Sequence, residues 1–431
     1  MDNLARDASS LTVPLIVDEE KQRLGCKLEN VETNYSDPTT GTTSSFKTVV
    51  HGLNALSGVG ILSMPYALMS GGWLTLILLF VVSMAAFYSG LLIQRCMDVD
   101  PNIRTYPDIG ERAFGNKGRL LVSVVMYMEL YLVAAGFLIL EGDNLQYLFP
   151  NMGLEVAGFK LGARQSFVII VALIILPTVW LDNISVLSYI SASGVLASAI
   201  ILVSIFWTGA IDGIGFNEKG TLINWQGIPT AVSLYAFCYC AHPVFPTLYT
   251  SMKKPHQFSN VLILCFTLCT LCYASMAVLG YLMFGSKVQS QITLSLPTAK
   301  FSSRLAIYTT LVNPIAKYAL MVTPIVNVTK SWFPLNCNKR PFSLFISTAF
   351  VISNVTVAIA LPFFGDLMSL VGAFLSTTAS IVLPCLCYMK ISGTYRRFGF
   401  EMVVLVSVVL LGIAVFIFGT YTSLLQIIGH L

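Results

Sequence analysis

The sequence predicts an all-α polytopic membrane protein with eleven membrane-spanning helices, the first ten of which form two inverted repeats of five. Three observations support this fold class: an apolar composition, long apolar stretches along the whole chain, and a matching interruption in two of them. Of 431 residues, 55% are hydrophobic and 11% are charged, whereas soluble domains have about 25% charged residues. We exclude a soluble fold because it would have to bury about eleven wholly apolar helices in one globule.

The apolar stretches are each long enough to cross a hydrocarbon core of roughly 30 Å as a helix. We predict the eleven spans at 46–70, 73–97, 118–148, 165–181, 184–209, 226–251, 258–283, 303–331, 342–361, 364–389 and 400–428. Residues 1–45 contain eight Asp/Glu and four Lys/Arg, and we expect a disordered cytosolic tail. They contain no apolar segment typical of a cleaved signal peptide, so span 1 is expected to act as its own insertion signal.

Basic residues predict the orientation of the chain. With the tail in the cytosol, eighteen of the 25 Lys/Arg lie on the cytosolic side and six on the opposite side. This excess favours a cytosolic N-terminus, and an odd number of spans places the C-terminus on the opposite side. No basic patch indicates nucleic-acid binding. Cys238 and Cys240 resemble a metal-binding pair but lack further ligands at suitable spacing, so no metal or other cofactor is predicted.

Two units of five spans follow one another, at 46–209 and 226–389, and span 11 at 400–428 would be peripheral. An odd number of helices per unit forces the two units into opposite membrane orientations, which is the condition for inverted repeats. The first span of each unit is interrupted, by Gly58-Val59-Gly60 and by Cys240-Ala241-His242-Pro243. Broken helices in corresponding positions of two halves indicate the substrate site of a secondary transporter, near the bilayer midplane.

The first break offers backbone donors. Inside lipid every backbone polar group must be paired, so a break is tolerated only where it lines a cavity or a ligand takes over the pairing. Gly58 and Gly60 allow a ligand to approach the main chain closely. We expect free amides near Ile61, at the start of the outer half-helix, to face a carboxylate.

The second break offers acceptors. Pro243 lacks an N–H and clashes with the preceding turn, which should leave carbonyls near Tyr239 and Cys240 without partners. Carbonyls suit an ammonium group, so the two breaks together predict a site for an α-amino acid. The alternative is that these glycines and prolines only allow close helix packing. Two breaks at the heads of paired units favour the functional interpretation.

The residues predicted to bind substrate lie at the breaks and on the third span. They are Asn54, Gly58, Val59, Gly60, Ile61, Tyr127, Tyr131, Tyr235, Tyr239, Cys240 and His242. For the tyrosines, aromatic packing in the core is an equal alternative.

Several segments resemble one known family. Asn54–Leu68 (NALSGVGILSMPYAL), Tyr127–Tyr131, Leu140–Asn144, Asn313–Leu320 and Phe363–Ala373 are similar to helices of the amino acid/auxin permease family. Together they resemble its vacuolar amino acid transporter branch in plants and fungi, related to the vesicular inhibitory amino acid transporters of animals. The resemblance covers 46–431. It implies the leucine-transporter-type fold and proton-coupled movement of amino acids across the membrane of an acidic organelle.

Ionisable groups at membrane depth are candidates for proton coupling, because burying them is costly. His51 lies at i with Asn54 at i+3 and Gly58 at i+7, which places the three on one helical face. His242 lies in the second break itself. Histidine has an unperturbed pKa near 6.5, which suits a site between neutral cytosol and acidic lumen. The alternative is that each ring hydrogen-bonds a neighbouring carbonyl.

Glu129 in span 3 and Lys317 in span 8 complete the predicted coupling set of His51, Glu129, His242 and Lys317. Glu129 could carry a proton, or it could form a structural ion pair with Lys317. In sodium-coupled relatives of this fold a cation lies between helices 1 and 8, and the Lys317 ammonium could replace it. Thr309, Thr310 and Asn313 leave sodium coupling open.

Three other carboxyl groups have weaker assignments. Glu141 and Asp143, near the far end of span 3, could guide protons or a cationic substrate, or could simply belong to a solvated helix end. Asp366 is predicted to cap the tenth helix.

Three hypotheses of function follow. The leading one is an amino acid/proton antiporter that loads the vacuole or a lysosome-like organelle. The second is a proton- or sodium-coupled symporter of the plasma membrane, or one that exports from an organelle, and the third is a membrane amino acid sensor. We find no constellation typical of an enzyme. The expected partners are an amino acid, protons and membrane lipid, and we expect a monomer.

Overall fold

The computed structural model describes residues 41–153, 155–156, 159–180, 187–331, 339–396 and 399–430. Contacts divide the chain into two units, Met1–Thr42 and Thr43–Leu431. Nearly all of the first unit, and with it most of the predicted tail, lies outside the described residues.

Spans 1 to 5 have the following bounds. Span 1 consists of α1 (Ser45–Leu56) and α2 (Met64–Gly71), joined by the 3-10 turn Val59–Ser63; span 2 is α3 (Thr75–Val99), span 3 lies in α4 (Tyr106–Leu148), span 4 is α5 (Ala163–Trp180) and span 5 is α6 (Leu187–Ala210). The two-residue strands β1 (Glu155–Val156) and β2 (Phe159–Lys160) pair antiparallel between spans 3 and 4.

Spans 6 to 11 complete the bundle. Span 6 consists of α7 (Ile228–Cys238) and α8 (Phe245–Ser251), joined by the 3-10 turn His242–Val244. Span 7 is α9 (Phe258–Phe284), span 8 is α10 (Phe301–Ser331) and span 9 is α11 (Lys339–Ala360). Span 10 runs from α12 (Phe364–Val371) through two π-helical segments to α13 (Leu383–Ser392), and span 11 is α14 (Phe400–Ala414) and α15 (Thr420–His430) with a π-helical segment between them.

The predicted all-α polytopic fold is confirmed. Ten helices in the described part of the chain are long and apolar enough to cross a membrane, and the bent pair that forms span 1 makes eleven. The helix axis bends by 46° between the two halves of span 1. The predicted bounds of all eleven spans lie close to those observed, apart from the beginning of α4.

Helix α4 begins well before the predicted span 3, because a short polar helix precedes it. Residues 106–114 contain Asp108, Glu111 and Arg112, so their hydropathy does not resemble a span. Gly115, with φ of +67°, separates this segment from the apolar part of the helix. A left-handed residue interrupts a helix at low cost only if it is glycine.

The start of span 1 is attached to the end of span 6 through the main chain. Thr43 N–H donates to the Ser251 carbonyl (2.9 Å), and Lys253 N–H donates to the Thr43 carbonyl (2.9 Å). Ser45 Oγ donates to Gln257 Oε1 (2.7 Å). The inner half-helices of the two broken spans are thereby held on the same side of the bundle.

Span 10 contains two π-helical segments, Gly372–Ser376 and Thr378–Val382, and the first of them packs tightly against α7 of span 6. A Cβ atom on Gly372 would collide with the Ser233 carbonyl of span 6. π-helical turns often occur at functional sites. Here they bring Ser376 to the second break, as shown below.

We predict that Gly372→Ala destabilises the protein, because its new methyl group meets backbone that cannot rotate away. Overpacking of this kind costs about 1–3 kcal/mol, which should lower the midpoint of thermal unfolding in detergent. Gly399→Ala is the matched control, since nothing lies within 4 Å of a Cβ atom there. Equal unfolding midpoints for the two variants would contradict the packing described.

Candidate substrate and coupling site

The first break leaves amide donors without acceptors. Helix α1 ends at Leu56, whose carbonyl accepts from Gly58 N–H (2.8 Å). Gly58 is extended, with φ −90° and ψ −168°, and Ile61 N–H lies 3.5 Å from the Gly58 carbonyl. Within the described residues, the amides of Val59 and Gly60 have no backbone acceptor. These two N–H groups, at the start of the outer half of span 1, are available to an anion.

Lys317 occupies the carbonyl end of the inner half-helix. Its Nζ donates to the carbonyls of Asn54 and Ser57, at 3.2 Å each, and the side chain is only 4% exposed. Gly194 of span 5 provides the space, because a Cβ there would collide with Asn54 Oδ1 and lie 3.1 Å from Lys317 Cε. The ammonium therefore lies between spans 1, 5 and 8, bonded to the carbonyls that the break exposes.

A narrow crevice runs along the first break between these same spans. It is lined by Gly58, Val59, Ile61, Leu62, Ser198, Ile201, Thr310 and Asn313. Ser198 Oγ is also 2.5 Å from Ser57 Oγ. The crevice therefore combines the free amides with hydroxyl and amide side chains from spans 5 and 8.

The second break has a free carbonyl. Helix α7 ends at Cys238, and Ala241 N–H donates to the Tyr239 carbonyl (3.1 Å). The Cys240 carbonyl accepts no hydrogen bond from the described residues. Of the two carbonyls predicted to be free, only that of Cys240 is available to a ligand.

Tyr273 of span 7 connects the two breaks, and the sequence did not indicate it. Its hydroxyl lies 2.5 Å from the Leu56 carbonyl and 3.2 Å from the Cys238 carbonyl. The carbonyl ends of α1 and α7, the first half-helix of each broken span, thus share one donor. The residue lies in an apolar helix without a break or charge, so the chain carries no local signal for this contact.

Glu129 contacts the second break directly. Its Oε1 accepts from Cys240 Sγ (2.8 Å) and from Ser376 Oγ (2.5 Å), and the residue is 6% exposed. In the described part of the chain, no ion pair joins Glu129 to Lys317. The structural ion pair considered as an alternative is therefore wrong for this conformation.

The two histidines differ in their surroundings. His242 is fully buried, and its Nε2 lies 2.9 Å from the Ala86 carbonyl and 2.9 Å from Ser89 Oγ. Because a carbonyl can only accept, Nε2 carries a hydrogen, and Nδ1 has no partner among the described residues. His51 is half-buried, and α1 ends before Gly58, so the predicted common face holds only for His51 and Asn54.

The predicted tyrosines make contacts typical of core packing. The hydroxyl of Tyr239 donates to Thr270 (2.9 Å), that of Tyr235 lies 3.3 Å from Thr75 Oγ1, and that of Tyr131 donates to Ser353 (3.0 Å). Tyr127 is half-buried on span 3. None of the four lines the crevice at the first break. Their role in binding substrate stays a prediction.

One minor prediction and one of the two interpretations of Glu141 are wrong. Asp366 does not cap the tenth helix: Phe363 holds the cap position and Asp366 lies in the first turn, 3.5 Å from His430 Nε2. Glu141 does not belong to a solvated helix end, since it is 1% exposed. Among the described residues there is no group of three His, Cys, Asp or Glu that could hold a metal ion.

A helical bundle with two broken spans, free amides at one break and a free carbonyl at the other defines a secondary transporter of the leucine-transporter type. Solved structures of such transporters are similar to this chain. The inward-facing structure of Mhp1 has a TM-score of 0.56 at 13% identity and covers 91% of each chain. A Na⁺-coupled sialic acid symporter has a TM-score of 0.53 at 13% identity and covers 94% of this chain and 95% of its own. These likenesses show the fold.

Sequence comparison identifies the family. The profile described as "Transmembrane amino acid transporter protein" matches residues 41–425, and the chain belongs to this family. Amino acid transporter AVT1J of Arabidopsis thaliana is 63% identical over 90% of this chain and 93% of its own length. Amino acid transporter AVT1I of the same plant is 61% identical over 90% of this chain and 96% of its own. The predicted resemblance is confirmed, and the chain is an amino acid transporter rather than an enzyme.

Proposed function

We propose that this protein is an amino acid/proton antiporter that loads the vacuole by alternating access, with its N-terminus in the cytosol and its C-terminus in the lumen. One observation carries the proton-coupling part of the proposal: the Glu129 carboxyl group is hydrogen-bonded to Cys240 at the second break. A proton carrier in contact with the broken helix can make the shape of the substrate site depend on protonation.

The substrate would bind through its common charged ends. The amides of Val59 and Gly60 would receive the carboxylate, with the positive end of the outer half-helix behind them. The Cys240 carbonyl would receive the ammonium. Such a site recognises the part that all α-amino acids share, which agrees with the similarity of this chain to amino acid transporters AVT1J and AVT1I.

Of the carboxyl groups at the breaks, only Glu129 would transfer protons. In the lumen-facing state the acidic compartment supplies a proton to its carboxylate oxygen. In the cytosol-facing state the proton leaves to neutral solvent, and the amino acid travels in the opposite direction. Each cycle thus moves protons out of the lumen and amino acid into it.

Lys317 makes sodium unnecessary in this scheme. Its ammonium binds the carbonyls of Asn54 and Ser57, at the position between helices 1 and 8 where a cation would otherwise neutralise them. A tethered cation cannot dissociate, so it fills this position in every state of the cycle. We therefore propose proton coupling without sodium coupling.

The proposal predicts the direction of pH-driven flux in proteoliposomes containing the purified chain. We expect labelled amino acid to accumulate when the interior is acidic, and to do so equally with and without a sodium gradient. The sign of the pH gradient identifies antiport whichever way the protein is inserted. Accumulation only with an acidic exterior would indicate symport, and the absence of gradient-dependent flux of any amino acid would contradict a coupled transporter.

A further inference from the structure

The far end of span 3 contains buried oxygen atoms without partners. Both carboxylate oxygens of Glu141, Oδ1 of Asn144 and Oγ1 of Thr293 are buried and make no hydrogen bond within the described residues. Glu141 is 1% exposed, and Asn144 and Thr293 are 0% exposed. Buried polar groups are nearly always hydrogen-bonded, so three such residues in one region require an explanation.

These residues lie at one corner of the bundle. Glu141 and Asn144 are three residues apart on one helix and are therefore neighbours on its surface. Asn144 Nδ2 donates to Gln291 Oε1 (2.6 Å), which holds the loop before span 8 against this helix. Thr293 follows two residues later in the 3-10 turn Ile292–Ser295. The loop between spans 7 and 8 thus covers the end of span 3 at this corner.

The charged groups around the corner already have other partners or lie in solvent. Arg164 of span 4 pairs with Asp143 (2.6 Å), and Gln291 Nε2 also donates to Asp143 (2.9 Å). Of the other charged groups in the covering loop and in spans 8 and 10, Lys287, Lys300 and Arg304 are exposed. Lys317 binds span 1 and Asp366 lies beside His430. Lys330 and Lys390 lie in the last turns of their helices, away from this corner. Among the described residues no cation neutralises Glu141.

An ionised carboxylate at this depth without a cation or a donor is strongly unfavourable. Binding of one proton removes the buried negative charge of Glu141. A protonated Glu141 has one O–H donor, and its neighbour on the helix surface, Asn144, offers an acceptor that has no other donor. Among the described residues, no group of three His, Cys, Asp or Glu that could hold a metal ion includes Glu141.

We propose that Glu141 is a second proton-binding site, which controls closure of the luminal side. This role rests on the antiport proposed above. Glu141 takes a proton from the lumen while that side is open. The loop that carries Gln291 and Thr293 then closes over the neutral acid, and the proton returns to the lumen when the side reopens. Glu141 therefore controls when the lumen-facing site closes and does not carry protons across the membrane.

The inference predicts a pH dependence that remains after coupling is removed. Exchange of labelled for unlabelled amino acid is measured in Glu129→Gln proteoliposomes with the same pH on both sides. Between about pH 5.5 and 7.5 we expect the rate to fall at least about tenfold, since the neutral fraction of an acid falls tenfold per pH unit above its pKa. Adding Glu141→Gln, which imitates the protonated acid, should reduce this change to less than about twofold.

Glu218→Gln removes an exposed carboxyl group in the loop before span 6 and serves as the matched control, which should keep the full pH dependence. The same pH dependence with and without Glu141→Gln would overturn the proposal. So would restoration of exchange at about pH 7.5 by sodium ions, because that would make the corner a sodium site.

Infrared difference spectra of the purified wild-type chain test proton binding without transport. Glu141→Gln should remove one protonated-carboxyl band, whereas Glu218→Gln should not. If Glu141→Gln fails to fold, Glu141→Asp replaces it and should shift this band without abolishing it. An unchanged band in either variant overturns the inference. Absence of amino acid flux in the wild type would reject the proposed antiport instead, while the spectra would still decide whether Glu141 binds a proton.

Discussion

Replacement of Glu129 by glutamine is expected to abolish pH-driven accumulation while leaving amino acid exchange intact. Glutamine keeps an oxygen that can accept from Cys240 and Ser376, the two donors that bind Oε1 in the wild type, but it cannot release a proton. For one proton per amino acid, a gradient of one pH unit sustains about tenfold accumulation, and this ratio should fall to one. Labelled uptake under an imposed gradient, followed by counterflow without a gradient, measures both quantities.

The control for this variant is Glu111→Gln on the same helix. The Glu111 side chain is 40% exposed and pairs with Arg119 at the surface, where an ion pair contributes little. The Glu111→Gln variant should accumulate amino acid to the same ratio as the wild type. If Glu129→Gln still accumulates substrate, the carboxyl group does not carry the coupling proton, and if it loses exchange as well, its role at the break is structural.

The breaks were predictable because their cause is local. Gly58 and Pro243 change what the backbone can do at their own positions, whatever the neighbouring helices are, and both breaks occur where the sequence placed them. The spans were predictable for a similar reason, since apolar length is a property of a single segment. Charge and hydropathy failed only at the beginning of α4, where a polar helix precedes an apolar one.

The partners of the buried groups were not predictable. Glu129 was identified from its depth, yet its donors come from span 6 and from the π-helical part of span 10, and no pattern along the chain reports that packing. Tyr273 was missed because its importance arises only where two half-helices end beside it. For Glu141 a solvated helix end stayed open as an alternative to guiding protons, because distance from the predicted helix end does not reveal the loop that covers it.

Replacement of Lys317 by methionine is expected to reduce the rate of transport at least about tenfold. Methionine has a long unbranched side chain that retains much of the packing, but it removes the only side-chain donor that the described residues supply to the carbonyls of Asn54 and Ser57. Each buried acceptor without a donor costs about 1–3 kcal/mol. About 1.4 kcal/mol corresponds to a factor of ten in rate. Initial rates of labelled amino acid uptake at equal protein density measure the effect.

The matched control is Lys300→Met, which removes an exposed ammonium just before the same span and should leave the rate unchanged. A wild-type rate in Lys317→Met would show that the ammonium is dispensable and would leave the carbonyls of the first break to another cation.

Lys317→Ala separates a cation requirement from a packing requirement. It opens space beside the two carbonyls, close to the Thr310 and Asn313 side chains that line the crevice, and oxygen ligands of this kind suit a hard cation. We expect sodium to raise the thermal stability of Lys317→Ala and to leave the wild type unchanged, because only the variant has an unfilled position. If sodium stabilises neither protein, Lys317 acts by filling space between spans 1, 5 and 8. If it stabilises both, the ammonium does not replace sodium, and coupling to that ion must be reconsidered.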